Sequence, residues 1–291
     1  MYNCSLILEG GGMRGVFTAG VLDYFMDNNL MFSDIYGVSA GSCHACSYLS
    51  GQRHRAFEVN VDYLNDKRYC SLESLLKTGD LFGADMLYRQ IPDVLNPFDY
   101  DTYNQYQGNF FAVMTDCETG KPVYQKVGDL HHDIIYVRAS SSLPVVSRMV
   151  EIDGRKYLDG GISDSIPVRH ALKNGPGKCV VILTQPAGYR KSPNKMIRFM
   201  RRQYRDYPAL VQAVEKRHLV YNKTLDYIRR EEKAGRVFVI RPDGPAGIGR
   251  VEKNREKLEK LYCRGYDTAR KQGQKLQEFL KGEKTISSEQ I

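Results

Sequence analysis

Residues Asp34–Gly41, D-I-Y-G-V-S-A-G, restrict the fold more than any other stretch of this chain. A short strand-like run ends in Gly37-Val38-Ser39 and passes directly into a helix-like segment. Gly37, Ser39 and Gly41 form a G-x-S-x-G motif. In a strand–turn–helix elbow such a serine is held in a strained conformation that lifts its hydroxyl above the sheet. The flanking glycines leave room for the tight turn and for close approach of the neighbouring strand and helix. The following helix directs the positive end of its dipole at the site, which favours negative charge there. Ser39 is therefore a candidate nucleophile, with a plain Gly/Ser-rich turn as the alternative.

A second glycine turn lies earlier. Leu6–Gly15 reads L-I-L-E-G-G-G-M-R-G, and Val16–Phe25 continues with helical apolar spacing. Consecutive backbone N–H groups in such a turn make an anion-binding concavity. Gly10, Gly12 and Gly15 also satisfy G-x-G-x-x-G, but a dinucleotide fold wants an acid at the end of the next strand. Asp34 stands at the start of that strand instead. The turn makes better sense beside Ser39, because acyl transfer creates an oxyanion that needs preorganised donors. The amides of Gly11, Gly12 and Met13 are candidates, and Arg14 either adds positive charge there or is an ordinary solvated arginine.

A serine nucleophile needs a base. Of the six histidines, His170 and His218 alone lie late enough for a Ser…Asp/Glu…His order. Neither sits in a glycine-rich turn, and helix packing or surface exposure accounts for both. His131 and His132 are adjacent, but no ligand spacing accompanies them, so neither a metal nor a cofactor is expected. The acid that stands out is Asp159, in Tyr157-Leu158-Asp159-Gly160-Gly161.

L-I-L-E-G-G-G-M-R-G, G-V-S-A-G and D-G-G occur in this order, and together they resemble the patatin-like phospholipase family, bacterial-type with a single patatin domain. Arg138-Ala139-Ser140-Ser141-Ser142-Leu143-Pro144 is similar to that family's A-S-x-A-x-P segment, with Ser142 where alanine is usual. Val237–Pro242 looks like one of its late core strands. The motifs span roughly residues 5–185. The resemblance implies a three-layer α/β fold and a serine lipid acyl hydrolase of phospholipase A or lysophospholipase type. It implies Ser39 as nucleophile, Asp159 as proton acceptor without histidine, the Gly10–Gly15 loop as oxyanion hole, and Gly37, Gly41, Gly160 and Gly161 as motif support. A carboxylate in that role needs dry, apolar surroundings to become basic enough. The alternatives are a serine esterase or thioesterase on soluble acyl substrates, and a non-catalytic lipid-binding regulatory protein.

At 291 residues, with 42% hydrophobic and 26% charged side chains, the composition is that of a globular protein with a sizeable core. No apolar run approaches the ~20 residues of a membrane span. Met1–Glu9 lacks the features of a secretory signal. Seven scattered cysteines suit a reducing compartment, so a cytoplasmic location is expected, with peripheral contact at the inner membrane face as an option. Strands are expected at Ser5–Glu9, Asp34–Tyr36, Asn109–Thr115, Lys178–Thr184 and Arg236–Arg241, with shorter, antiparallel ones at Pro122–Lys126 and Met149–Ile152. Helices are expected after each glycine turn and at Arg53–Asn65, Ala84–Asp93 and Pro167–Lys173. Residues 1–242 read as the catalytic domain and 243–291 as a helical C-terminal extension on the core, with Gly282–Ile291 frayed.

Charge is uneven. Residues 1–150 carry a net −6 and residues 151–291 a net +14. Tyr189–Tyr207 holds seven basic residues and one acid, interleaved with Met, Ile, Phe and Tyr. It is either a membrane-surface element or a helix whose apolar face packs on the core. No nucleic-acid motif accompanies the basic half. The expected partner is a phospholipid or other acyl lipid.

Overall fold

The structure is a computed structural model, and it describes residues 1–282. Its strands are β1 (Tyr2–Leu8), β2 (Phe32–Val38), β3 (Asn109–Asp116), β4 (Pro122–Val127), β5 (Val150–Ile152), β6 (Arg155–Asp159), β7 (Cys179–Ile182) and β8 (Val237–Ile240). They form one sheet in the order β5-β6-β3-β2-β1-β7-β8, with β4 also on β3. The run from β3 to β8 is parallel. Strands β4, β5 and β6 are antiparallel. The near-continuous apolar runs of β1 and β7 match their burial on both faces.

The α-helices are α1 (Val16–Asp27), α2 (Ala40–Leu49), α3 (Arg55–Val61), α4 (Leu72–Thr78), α5 (Tyr100–Asn104), α6 (Leu130–Ser141), α7 (Val168–Asn174), α8 (Ile197–Gln203), α9 (Pro208–Lys233) and α10 (Arg255–Lys281). One face of the sheet packs on α1, α2, α6 and α10 through Phe17, Val21, Tyr48, Val137 and Leu276. The other packs on α7 and α9 through Ala171, Tyr221 and Ile228. This is the three-layer α/β architecture expected from the sequence.

Every expected strand is present with shifted ends, and the two short ones are antiparallel. The Arg53–Asn65 helix contracts to α3, and Ala84–Asp93 is wound as a π-helix over Met86–Leu95 that contains Pro92. Strand β6 was not expected. Its signal is Asp153-Gly154, whose φ of 50° and 73° make the tight turn joining Ile152 to Arg155. Gly282 caps α10 in the left-handed region; residues 283–291 of the expected frayed tail lie outside the described residues.

Helix α10 lies close along α1. A Cβ on Gly265 would come within 2.0 Å of the Phe17 carbonyl oxygen. The Tyr262 hydroxyl donates to Asp23 Oδ2 at 2.5 Å, fixing the helices together at a buried carboxylate whose pKa burial raises. Among the described residues, no helix is long and apolar enough to cross a membrane.

The basic Tyr189–Tyr207 segment divides by direction. Met200 and Tyr204 are buried against Leu210, Val211 and Val214, and the Tyr204 hydroxyl accepts from Val145 N–H at 2.7 Å. Met196 and Phe199 stay 51% and 49% exposed. Arg190 and Arg201 pair with Asp226 and Glu215. Lys191 turns inward, its ammonium 4.3 Å from the centre of the Tyr221 ring.

Candidate active site

Ser39 links β2 directly to α2 with φ 56° and ψ −128°, a left-handed conformation that costs a non-glycine residue about 1–3 kcal/mol. The surroundings hold it there. Ser39 N–H donates to Ser140 Oγ at 3.0 Å, and its carbonyl accepts from Ser42 N–H at 2.9 Å and Ser42 Oγ at 2.6 Å. A Cβ on Gly41 would stand 2.4 Å from the Leu8 carbonyl oxygen, and one on Gly10 would stand 2.7 Å from Ser39 Cβ. Gly37 lies equally close, against Ser42. The glycines of both motifs are thus demanded by how tightly the first turn packs on the elbow.

Asp159 arrives from the other direction. Strand β3 has β4 along one edge. On its other edge β2 ends with Val38 opposite Val113, and β6 takes over with Asp159 opposite Met114. The acid is therefore delivered beside the elbow. Its N–H donates to the Ser142 carbonyl at 2.8 Å, and its carbonyl accepts from Thr115 Oγ1 at 2.8 Å. Its Oδ1 accepts from Gly161 N–H at 2.7 Å, with Gly160 packed against the Val113 carbonyl. Oδ2 is buried without an aligned partner among the described residues. Burial raises the Asp159 pKa; Arg217 and the neighbouring Ser39 hydroxyl pull against it, in that order. Burial wins because the carboxyl is only 2% exposed.

The Arg138–Pro144 segment clamps both residues: Ser140 holds the Ser39 amide and the Ser142 backbone holds the Asp159 amide. The Ser142 hydroxyl turns back to the Arg138 carbonyl at 2.8 Å, so serine is accommodated at the C-terminus of α6.

The Gly10–Gly15 loop follows β1 and tightens into a 3₁₀ turn over Gly12–Gly15. Met13 N–H is already committed, donating to the Arg250 carbonyl at 3.0 Å. That leaves Gly11 and Gly12, whose N–H groups meet no backbone acceptor among the described residues. Gly15 packs on His44 of α2.

Two cavities meet at Ser39. One is apolar, with about 1070 Å³ of open space including its mouth. Met13, Cys43, Leu87, Tyr88, Ile91 and Val137 are among its walls, so the π-helix forms one side. The other is smaller, about 440 Å³, and polar; Ser39 and Asp159 line it with Glu9, Arg14, Lys191, Arg217 and Arg250. No histidine lines it. His170 stacks on Tyr124 with ring centres 3.5 Å apart, and His218 lines an adjoining cavity that contains neither Ser39 nor Asp159 in its lining. His44 borders the apolar cavity, and burial pushes it down to about 4, so it is neutral. Lys191, Arg217 and Arg250 were not singled out as site residues from the sequence, because none stands in a local motif.

A family model described as patatin-like phospholipase matches residues 6–172, and a second, a domain of unknown function (DUF6363), matches residues 207–281. The protein YjjU of Escherichia coli K12 is 30% identical over 249 residues, 83% of this chain and 69% of its own length. The probable lipid hydrolase 463L of invertebrate iridescent virus 6 is 22% identical over 191 residues, 59% of this chain and 64% of its own. The crystal structure of VipD from Legionella pneumophila has a similar fold, with a TM-score of 0.50 at 11% identity over 97% of this chain and 67% of that one. Matched over more than half its length, this chain belongs to the patatin-like phospholipase family.

Proposed function

We propose that this protein is a lipid acyl hydrolase working through a Ser39–Asp159 dyad. The observation that carries this reading is the unpartnered Oδ2 of a buried Asp159 beside a strained Ser39 that lines an apolar cavity. An acyl chain in that cavity brings its ester carbonyl to Ser39. Asp159 Oδ2 takes the hydroxyl proton as Oγ attacks the carbonyl carbon. Its raised pKa makes it a stronger base than an exposed aspartate. Negative charge moves to the carbonyl oxygen, where the Gly11 and Gly12 N–H groups and the α2 dipole offset it. The tetrahedral intermediate then collapses, and the leaving alcohol takes the proton from Asp159. Water, deprotonated by the same carboxylate, releases the fatty acid and restores Ser39.

The test is labelling by a fluorophosphonate together with ester turnover. Ser39→Ala should abolish both, and Asp159→Asn should abolish turnover with the fold retained. His170→Ala and His218→Ala should keep most activity. Either histidine variant being as inactive as Ser39→Ala would overturn the dyad. Turnover of soluble esters without any turnover of vesicle or micelle lipid would favour the esterase reading.

A further inference from the structure

The polar cavity holds more positive charge than acyl transfer uses. Arg14 comes from the glycine turn, Lys191 from the segment after β7, Arg217 from α9 and Arg250 from the connection between β8 and α10. Two carboxylates share the space, Asp159 and Glu9. Glu9 is fully engaged: Oε1 accepts from the Tyr221 hydroxyl at 2.5 Å, and Oε2 from Thr184 N–H at 2.7 Å and Oγ1 at 3.1 Å. Among the described residues, none of the four cations forms a salt bridge. Among the described residues, Nε of Arg14 and Nε of Arg217 are buried without an acceptor. Burial, then the nearby Arg217, Arg250 and Arg14, bring Lys191 down to about 7 against the opposing pull of Glu9. Arg14, Lys191 and Arg217 are half-buried and Arg250 stands exposed at the rim. Unpaired cations withdrawn from water are costly, and their convergence in a cleft points to a ligand that completes the charge.

Position says which part of a substrate that is. Ser39, Gly12 and Leu143 line both cavities. An ester seated at Ser39 with its acyl chain on the apolar side leaves its alcohol portion among the four cations. The way onward leads into a cavity shared through Lys191, Arg217 and Arg250, whose lining adds Arg190 and Lys195 and, among the described residues, contains no Asp or Glu. Arg190 is paired with Asp226 there, while Lys191, Arg217 and Arg250 are not, so an ammonium-bearing headgroup would meet like charge with no lining carboxylate to offset it.

We propose that Arg14, Lys191, Arg217 and Arg250 form a phosphate subsite, and that the enzyme selects acyl esters with an anionic phosphate headgroup over zwitterionic and neutral ones. The substrate class rests on the hydrolase reading above.

Water-soluble monomeric esters test this without any interface. The set is monobutyryl glycerol phosphate, its phosphocholine counterpart and monobutyrylglycerol. The wild type should prefer the first by about tenfold or more in kcat/KM, as charge-assisted phosphate contacts require. Lys191→Gln with Arg250→Gln should collapse that preference, while exposed Lys233→Gln leaves all rates unchanged. Equal rates for the three esters would overturn the proposal. So would a preference that survives the double substitution in a protein with unchanged melting temperature. Inorganic phosphate titrated into Ser39→Ala protein should bind weakly, and in wild type it should compete with the phosphate ester. Binding that the double substitution removes without altering ester preference would assign the cations to free phosphate and overturn the headgroup role. If no ester is turned over at all, the hydrolase reading fails; the titration then decides the phosphate site by itself.

Discussion

Val38 and Asp159 are paired to consecutive residues of one strand edge, Val38 to Val113 and Asp159 to Met114. A parallel strand ends where an antiparallel one begins. Ser39 and Asp159, 120 positions apart in the chain, are therefore brought side by side by strand register.

The elbow strain is measurable. Ser39→Gly is expected to raise stability by about 1 kcal/mol, because glycine adopts this φ freely, although glycine's looser unfolded chain offsets part of the gain. Ser39→Ala keeps the Cβ and should show no such gain. Chemical denaturation of both inactive variants checks this; equal stability would mean the elbow is unstrained.

Asp159 links activity to pH and stability. Its raised pKa means that kcat/KM should fall on the acid side at a pH above the ordinary aspartate range of about 3.9. Below that inflection the base is protonated and idle. A raised carboxyl binds its proton more readily in the folded state, so wild-type stability should increase as pH falls through that value. Asp159→Asn should be more stable than wild type at pH 8 by roughly 0.5–2 kcal/mol, with the gap closing toward acid. Thermal melts across pH would show the opposite slope if Arg217 outweighed burial.

Lys191 gives the headgroup preference its own pH dependence. It faces Arg217, Arg250, Arg14 and Glu9, as well as Tyr189 and Tyr221, and is held at about 7. Below that value it is charged and above it neutral, so preference for the phosphate ester should weaken as pH rises from 7 to 9. A phosphate monoester stays dianionic throughout that window, its second pKa being about 6. Bound phosphate shifts the loss upward. Lys191→Arg should flatten the profile, and an unchanged profile would remove Lys191 from phosphate contact.

The exposed half of the Tyr189–Tyr207 segment is proposed to dock on lipid. Arg198, Arg202 and Arg205 flank half-exposed Met196 and Phe199. Changing the three arginines to Gln should weaken binding to anionic vesicles and slow hydrolysis of vesicle lipid, yet spare a soluble neutral ester. The difference should fade in 1 M salt, where screening acts within about 3 Å. Equal loss on both substrates would make the segment structural, and no loss would make these charges a solvated face.

Much of the site can be read along the chain. The two glycine turns, Ser39 and the D-G-G acid stand in local contexts whose backbone demands select small residues, and such demands show within a few positions. Alternating strands and helices likewise follow from short-range apolar spacing. Only the tertiary structure decided the rest. Asp159 became a buried carboxylate beside the elbow because β6 continues the edge that β2 leaves, a matter of register between distant strands. Met13 drops out of the candidate oxyanion donors because the chain near Arg250 crosses the glycine turn and takes its N–H. Lys191, Arg217 and Arg250 each occupy an ordinary basic stretch, and their charges converge through the docking of α9 and the β8–α10 connection. The burial that draws Lys191 and Arg217 away from solvent belongs to the packed molecule and to no segment of it.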